Sequence, residues 1–284
     1  MYQAGLILEG GGMKGVYTSG VLDLLLDKGI QFSEIYGVSA GACNMCSFIS
    51  GQRERAFDVF VDYLDTGSYC GIKSMLLTGD IFNVDTCYHL IPKYLNPIDV
   101  EAFRSYPGKG YCVVTNIATG CPEYFPIEDP IEDMEKVRAS ASMPLVSRTV
   151  MINGKPYLDG GIADAIPLRH SIVRGNRKNL VIMTKEVGYR RKIIDSSQLA
   201  LIKARYLKYP KVAELMMERH IHYNECLDYI DRMEQKGQAF VLRPLYGSKV
   251  GRIEKDQRKL RQLYEQGYRE AEEAFPRLLA YLES

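Results

Sequence analysis

Gly5-Leu6-Ile7-Leu8-Glu9-Gly10-Gly11-Gly12-Met13-Lys14-Gly15 joins a short apolar run to a cluster of glycines near the start of the sequence. Gly5 to Leu8 reads as a short buried strand, and it runs directly into a glycine loop. Val16, Leu22, Leu25 and Leu26 then recur at helical spacing as far as Asp27, with Gly29 as a C-terminal stop. Ile35-Tyr36-Gly37-Val38 reads as a second strand and Ala40 to Ile49 as a second helix. Strand, helix, strand, helix in this order predicts a right-handed crossover and a mainly parallel sheet.

Farther along, Cys112 to Thr115, Val150 to Ile152, Pro156 to Leu158 and Leu180 to Met183 read as strands. Asn153-Gly154 between the middle two is a hairpin turn signal. Residues 52 to 105, broken by Gly, Pro and Asn, read as helical or irregular excursions where a lid or an acyl-chain wall could sit. From Lys203 onward the chain reads as mostly helical, interrupted by the apolar run Ala239 to Leu242. The division expected is an α/β catalytic domain over 1–200 and a mostly helical C-terminal extension over 201–284, packed on it.

Composition narrows the function classes. The 284 residues are 46% hydrophobic and 25% charged, which excludes a disordered or collagen-like chain. Lys plus Arg is 36 against 35 for Asp plus Glu, so bulk charge gives no reason to expect nucleic acid. No run approaches the ~20 apolar residues of a membrane span. The N-terminus has no charged region of the kind that opens a signal peptide. With seven cysteines at no finger-like spacing, these features predict reduced thiols and a cytoplasmic address.

The glycine loop admits two readings. Successive N–H groups ahead of a helix form an anion site, while Gly10, Gly12 and Gly15 also satisfy the dinucleotide fingerprint G-x-G-x-x-G. Gly37-Val38-Ser39-Ala40-Gly41 favours the first, because G-x-S-x-G at a strand-to-helix turn is a nucleophile elbow that lifts a serine hydroxyl above the sheet. None of the four histidines, His89, His170, His220 and His222, carries a local motif; His170 is the least implausible base. The better candidate is Asp159 in Leu158-Asp159-Gly160-Gly161, at the end of an apolar strand and at a sharp turn. Ligands in open α/β sheets bind beyond the carboxyl ends of strands, where both Ser39 and Asp159 belong.

Gly10 to Gly15, Gly37 to Gly41 and Asp159-Gly160-Gly161, in this order, resemble the patatin-like phospholipases, and Ala139-Ser140-Ala141-Ser142-Met143-Pro144 resembles a further segment of that family. The resemblance covers residues 5 to about 165. It implies a three-layer α/β/α fold and a Ser-Asp dyad without histidine, acting on acyl esters of lipids. Carried over by position, Ser39 is the nucleophile and Asp159 the base. Gly10 and Gly15 bound an oxyanion loop whose donors are the N–H groups around Gly11, Gly12 and Met13. Lys14 takes the family's usual basic position, and Glu9 replaces an aspartate common in plant members. Such chemistry needs neither metal nor cofactor, and Cys43-Asn44-Met45-Cys46 is expected to pack behind the elbow.

Twelve basic residues stand against two acidic ones between Arg169 and Lys211, a candidate patch for peripheral contact with an anionic membrane surface. Met75, Leu76, Leu77, Ile81, Phe82 and Tyr88 are candidates for an acyl-chain groove. Three rivals remain at this point. One is a nucleotide-binding domain using the glycines, with Glu34 at a loosely suitable distance for a ribose. The others are an α/β-hydrolase with a histidine base and a catalytically silent lipid-binding regulatory module.

Overall fold

The computed structural model describes residues 1–67 and 69–284. In chain order, β1 (Tyr2–Leu8), a 3-10 turn (Gly12–Gly15), α1 (Val16–Asp27), β2 (Phe32–Val38) and α2 (Ala40–Ile49) give the expected crossover. The excursion then holds α3 (Arg55–Val61), α4 (Ile72–Thr78), a π-helix (Asp85–Leu95) and α5 (Val100–Ser105). Next come β3 (Lys109–Asn116), β4 (Pro122–Ile127), α6 (Met134–Ser140), β5 (Val150–Ile152) and β6 (Lys155–Asp159). The chain ends with α7 (Leu168–Val173), β7 (Asn179–Ile182), α8 (Ser196–Arg205), α9 (Lys211–Gln235), β8 (Phe240–Leu242) and α10 (Gln257–Glu283).

The strands form one sheet in the order β5-β6-β3-β2-β1-β7-β8, with β4 paired to β3. The central pairs β3-β2, β2-β1, β1-β7 and β7-β8 are parallel. The β5-β6 hairpin and the pairings of β3 with β4 and β6 are antiparallel. Asn153 and Gly154 both take positive φ, 49° and 76°, as the tight turn between β5 and β6 requires. Side chains alternate across the sheet and so build two cores. Leu6, Leu8, Leu180 and Ile182 point to a core shared with Leu25 of α1, Met45 of α2 and Leu263 of α10. Ile7 and Val181 point the other way, onto Tyr223, Leu227 and Ile230 of α9. The result is a mainly parallel sheet between two helical layers, with both faces buried, which is why its strands read as unbroken apolar runs.

Two strands escape the periodicity. β4 carries Pro122 and Pro126, residues that argue against a strand by sequence and are tolerated at a sheet edge. β8 is the short apolar run that interrupts the helical tail; it pairs in parallel with β7 and extends the sheet. The expected boundary near residue 200 falls within α8. No helix among the described residues is long and apolar enough to cross a membrane.

The last helix is tied to the first by buried polar contacts as well as by packing. Tyr17 donates to Glu270 Oε2 at 2.8 Å, and Tyr264 donates to Asp23 Oδ2 at 2.7 Å. Burial raises the Asp23 carboxyl to about 6, and the Tyr264 bond opposes that rise. Tyr264→Phe should therefore lower stability by about 1–3 kcal/mol at pH 8, where a buried carboxylate loses one of its two donors and keeps only the Glu54 N–H. The loss should be smaller at pH 5, where Asp23 is protonated. Urea unfolding at the two pH values measures both.

Candidate active site

The site begins with an arrangement of strand ends. β4 occupies one edge of β3 along residues 110–115. On the other edge β2 runs in parallel until Val38 pairs with Val113, and there β2 stops. The next residue of β3, Val114, pairs with Asp159, the last residue of β6. One strand thus delivers the ends of β2 and β6 side by side, although Ser39 and Asp159 are 120 positions apart in sequence.

Ser39 occupies the turn into α2 with φ 55° and ψ −123°, a backbone region open to glycine and strained for other residues. The turn is tight because α2 starts against β1: a Cβ on Gly41 would lie 2.3 Å from the Leu8 carbonyl oxygen. Two later serines and a threonine fix the geometry. Ser140 Oγ accepts the Ser39 N–H at 2.9 Å and donates to the Val113 carbonyl at 2.7 Å. The Asp159 N–H donates to the Ser142 carbonyl at 2.8 Å, and Thr115 Oγ1 donates to the Asp159 carbonyl at 2.8 Å.

The Asp159 side chain is buried at 1% exposure. Its Oδ1 accepts the Gly161 N–H at 2.7 Å, whereas Oδ2 is buried without a hydrogen-bond partner. Burial raises its pKa above the ordinary carboxylate value; the charge of Arg219, the nearby Ser39 hydroxyl, the Gly161 N–H and the charge of Arg252 oppose the rise. The Ser39 hydroxyl is close enough to favour the charged carboxylate but forms no regular hydrogen bond with Oδ2.

The glycine loop passes directly beside the serine. A Cβ on Gly10 would stand 2.7 Å from Ser39 Cβ, so a side chain there would displace one or the other. Glu9 anchors the loop from behind: its carboxylate accepts the Thr184 N–H at 2.7 Å and the Tyr223 hydroxyl. Thr184 Oγ1 also donates to the Gly10 carbonyl at 2.7 Å.

Gly10, Gly11, Gly12, Ser39, Asp159 and Gly161 line one cavity of about 280 Å³. Met13, Lys14 and Gly15, expected within the oxyanion loop, do not line it. The Met13 N–H is already given to the Arg252 carbonyl at 3.1 Å, and the Gly15 carbonyl accepts from Asn44 Nδ2 at 2.9 Å. Gly11 and Gly12, at the head of the 3-10 turn, are where helical geometry leaves N–H groups unpaired. Gly37 faces the start of α2, and Gly160 is pressed onto the Val113 carbonyl.

Beyond the polar end, the cavity wall is apolar. Phe60, Tyr69, Phe82, Tyr88 and Ile91 line it, together with Pro92 inside the π-helix. Of the residues expected in the groove, Ile81, Phe82 and Tyr88 are there. Met75, Leu76 and Leu77 are not, and Leu76 is 80% exposed on α4. Cys43 and Cys46 border the cavity, and burial pushes both thiols up to about 12, which keeps them protonated.

Residues 6–172, more than half of the chain, match the family model described as patatin-like phospholipase. The chain belongs to the patatin-like phospholipase family. Residues 209–283 match a second model, a domain of unknown function, DUF6363. Over 183 residues the chain is 30% identical to the uncharacterized protein YjjU of Escherichia coli K12, covering 63% of this chain and 51% of that one. It is 25% identical over 194 residues to the probable lipid hydrolase 463L of Invertebrate iridescent virus 6, covering 63% and 66%. It is also 30% identical over 180 residues to the lysophospholipase NTE1 of Eremothecium gossypii, covering 60% of this chain and 11% of that protein. The chain thus spans about half the length of the first of these relatives and a small part of the last.

Within this patatin-like site none of the four histidines borders the cavity. His170 stacks on Tyr124 at 3.5 Å between ring centroids, and Tyr124 donates to Asp164 at 2.7 Å. Glu34, the residue considered for a ribose, is held by Tyr36, Asn176 and Arg174 four positions before the end of β2. Several of the twelve basic residues of 169–211 are engaged within the molecule. Arg174 pairs with Glu34 and Arg190 with Asp228, Arg169 lies over the Tyr229 ring, and Lys185 and Arg191 turn into the cavity. Three more cations at the cavity, Arg55, Arg219 and Arg252, lie outside that run and carry no local signal in the sequence.

The positive φ at Ser39 makes a prediction that is independent of substrate. Ser39→Gly should be more stable than the parent by up to about 2 kcal/mol, what remains of about 1–3 kcal/mol of strain at a non-glycine residue in that region after about 0.4–1 kcal/mol for the added freedom of glycine in the unfolded chain. Thermal or denaturant unfolding of the two proteins measures the difference.

Proposed function

We propose that this protein hydrolyses acyl esters of lipids through a Ser39–Asp159 dyad. The observation that carries the reading is a buried carboxylate oxygen, Asp159 Oδ2, without a partner beside a strained serine in the wall of a largely apolar cavity. The names of two relatives, a probable lipid hydrolase and a lysophospholipase, support the same class.

In the first half-reaction Ser39 Oγ adds to the ester carbonyl carbon as its proton passes to Asp159. The oxyanion is held by the N–H groups of Gly11 and Gly12. Loss of one such donor typically costs about 2.7–4 kcal/mol. Collapse expels the alcohol, which takes the proton from Asp159, and leaves an acyl-serine. Water then adds to the acyl carbon, giving a proton to Asp159, and that proton returns to Ser39 as the fatty acid departs. Burial suits Asp159 to this work, since a base with a raised pKa draws the serine proton more strongly than an exposed carboxylate does.

Ser39→Ala should abolish labelling by a fluorophosphonate probe and ester turnover, and Asp159→Asn should reduce turnover by about 10²–10⁴-fold. Circular dichroism should show both folded. Because Asp159 acts ionised, kcat/KM should fall as pH drops through a pKa above the ordinary carboxylate range. Arg219→Met removes the main charge that opposes the rise and should move this acid limb to higher pH. Near-normal turnover by either dyad variant overturns the mechanism.

We propose further that the protein works at a lipid surface. Ile72, Leu76 and Leu77 are 74–80% exposed on α4, and the chain leads from there to Ile81 and Phe82 in the cavity wall. Replacing Leu76 and Leu77 together by Glu should lower the ratio of vesicle-borne to soluble short-chain ester turnover by at least about tenfold. That is the loss expected from about 1.5–3 kcal/mol of buried apolar side chain.

A further inference from the structure

Five cations line the cavity; Arg55 donates to Ser47 Oγ and to the Asn96 carbonyl, and the other four are Lys185, Arg191, Arg219 and Arg252. They are near one another and near the dyad. Arg252 and Arg191 both act on Lys185, both also act on Arg219, and Arg219 and Arg252 act on Asp159. Among the described residues, none of the four has a carboxylate ion pair within 4.0 Å, although other basic residues of this chain do. Two carboxylates stand close, Glu9 and Asp159. Glu9 is already engaged by Thr184 and Tyr223, and Asp159 is bonded to the Gly161 N–H.

The cations are also held in place. Asn224 clasps the Arg191 backbone from both sides, accepting its N–H at 2.8 Å and donating to its carbonyl at 3.0 Å. The Arg191 guanidinium lies 4.2 Å from the centre of the Tyr223 ring, and its Nε is buried without a partner. Tyr223 is itself fixed through its hydroxyl to Glu9. Arg219 donates through Nε to the Gly161 carbonyl at 2.6 Å, two residues beyond Asp159. Burial, with mutual repulsion added to it, lowers Lys185 to about 8 and Arg219 to about 10. Pre-positioned like charges in a walled cleft, with donors left over, make a site for a compact anion.

We propose that Lys185, Arg191, Arg219 and Arg252 form a phosphate subsite, so that the preferred substrate is an acyl ester carrying a phosphate a few bonds from the scissile carbonyl rather than a neutral glyceride. This rests on the acyl-hydrolase reading and refines it by substrate class. It also assigns a function to the C-terminal segment, because Arg219, Tyr223, Asn224 and Arg252 all lie within residues 209–283. That segment supplies head-group recognition to a dyad built within residues 6–172.

Two measurements judge the subsite separately from the chemistry. In the Ser39→Ala protein, calorimetric titration should show saturable binding of glycerol phosphate that weakens with salt, and no binding of glycerol. The Arg191→Gln/Arg252→Gln variant on that background should bind at least about tenfold more weakly, while Arg191→Lys/Arg252→Lys should retain most of the affinity. In the active protein, kcat/KM for lysophosphatidate should exceed that for the monoacylglycerol of the same chain by at least about tenfold, chiefly through KM. That ratio should approach one in the double Gln variant. Equal turnover of the two lipids by the parent, or unchanged glycerol phosphate binding in the double Gln variant, overturns the proposal. Binding of inorganic phosphate as tight as that of glycerol phosphate, with no lipid preference, also overturns it and indicates a free-phosphate site. If no ester is turned over at all, the hydrolase reading fails, and the titration still decides the subsite.

Discussion

The rest of the molecule depends on one edge of β3. Val113 holds the end of β2 and Val114 holds the end of β6, so two strands that approach from opposite directions terminate at neighbouring rungs. This works because β2 is parallel and β6 antiparallel to β3: each presents its carboxyl end to the same point. Backbone hydrogen bonds of a sheet set the separation more firmly than flexible loops could. Ser140, Ser142 and Thr115 bond to the backbone of the two terminal residues rather than to their side chains. The Ser39 side chain is thereby left out of the scaffold, and of the Asp159 carboxylate only Oδ1 is engaged, by the Gly161 N–H.

That arrangement carries a stability penalty. Ser39 is strained, and Asp159 is a charge removed from water with one oxygen unpaired. For Asp159 the sign follows from linkage. Its folded pKa is raised, so folding is favoured most below the ordinary carboxylate pKa and loses part of that advantage as pH rises through the raised value. The fold absorbs this elsewhere, in two fully buried sheet faces and in α10 locked across α1 by Tyr17–Glu270 and Tyr264–Asp23. A site that violates local preferences inside an otherwise consistent fold is what selection for reactivity leaves behind.

What is legible in the sequence is what is determined over a few residues. The elbow at Ser39, the glycine loop and the Asn153-Gly154 turn are local backbone chemistry, and the structure has them at those positions. The parallel core is legible because strands buried on both faces must be apolar throughout. β4 is not, since its prolines speak against a strand and only its edge position permits them. The fate of the Met13 N–H is equally hidden: its acceptor, Arg252, lies 239 residues away and comes from a loop with no pattern of its own. Arg219 and Tyr223 look like ordinary positions in a long charged helix until the helix is laid over the sheet. Long-range pairings of this kind have no period to read.

The cations and the base place opposing demands on the same few ångströms. Arg219 and Arg252 stabilise the charged form of Asp159 and so make it a poorer base, while burial makes it a better one. On the phosphate-subsite proposal, an anion seated on those guanidinium groups offsets their field at Asp159 and lets burial prevail. The carboxylate would then be most basic when a matched substrate is in place and least basic when the cavity holds only water. Such coupling needs no moving part. On that proposal it follows from putting the charges that recognise the head group next to the charge that takes the proton, in a cleft whose wall is largely apolar and screens one poorly from the other.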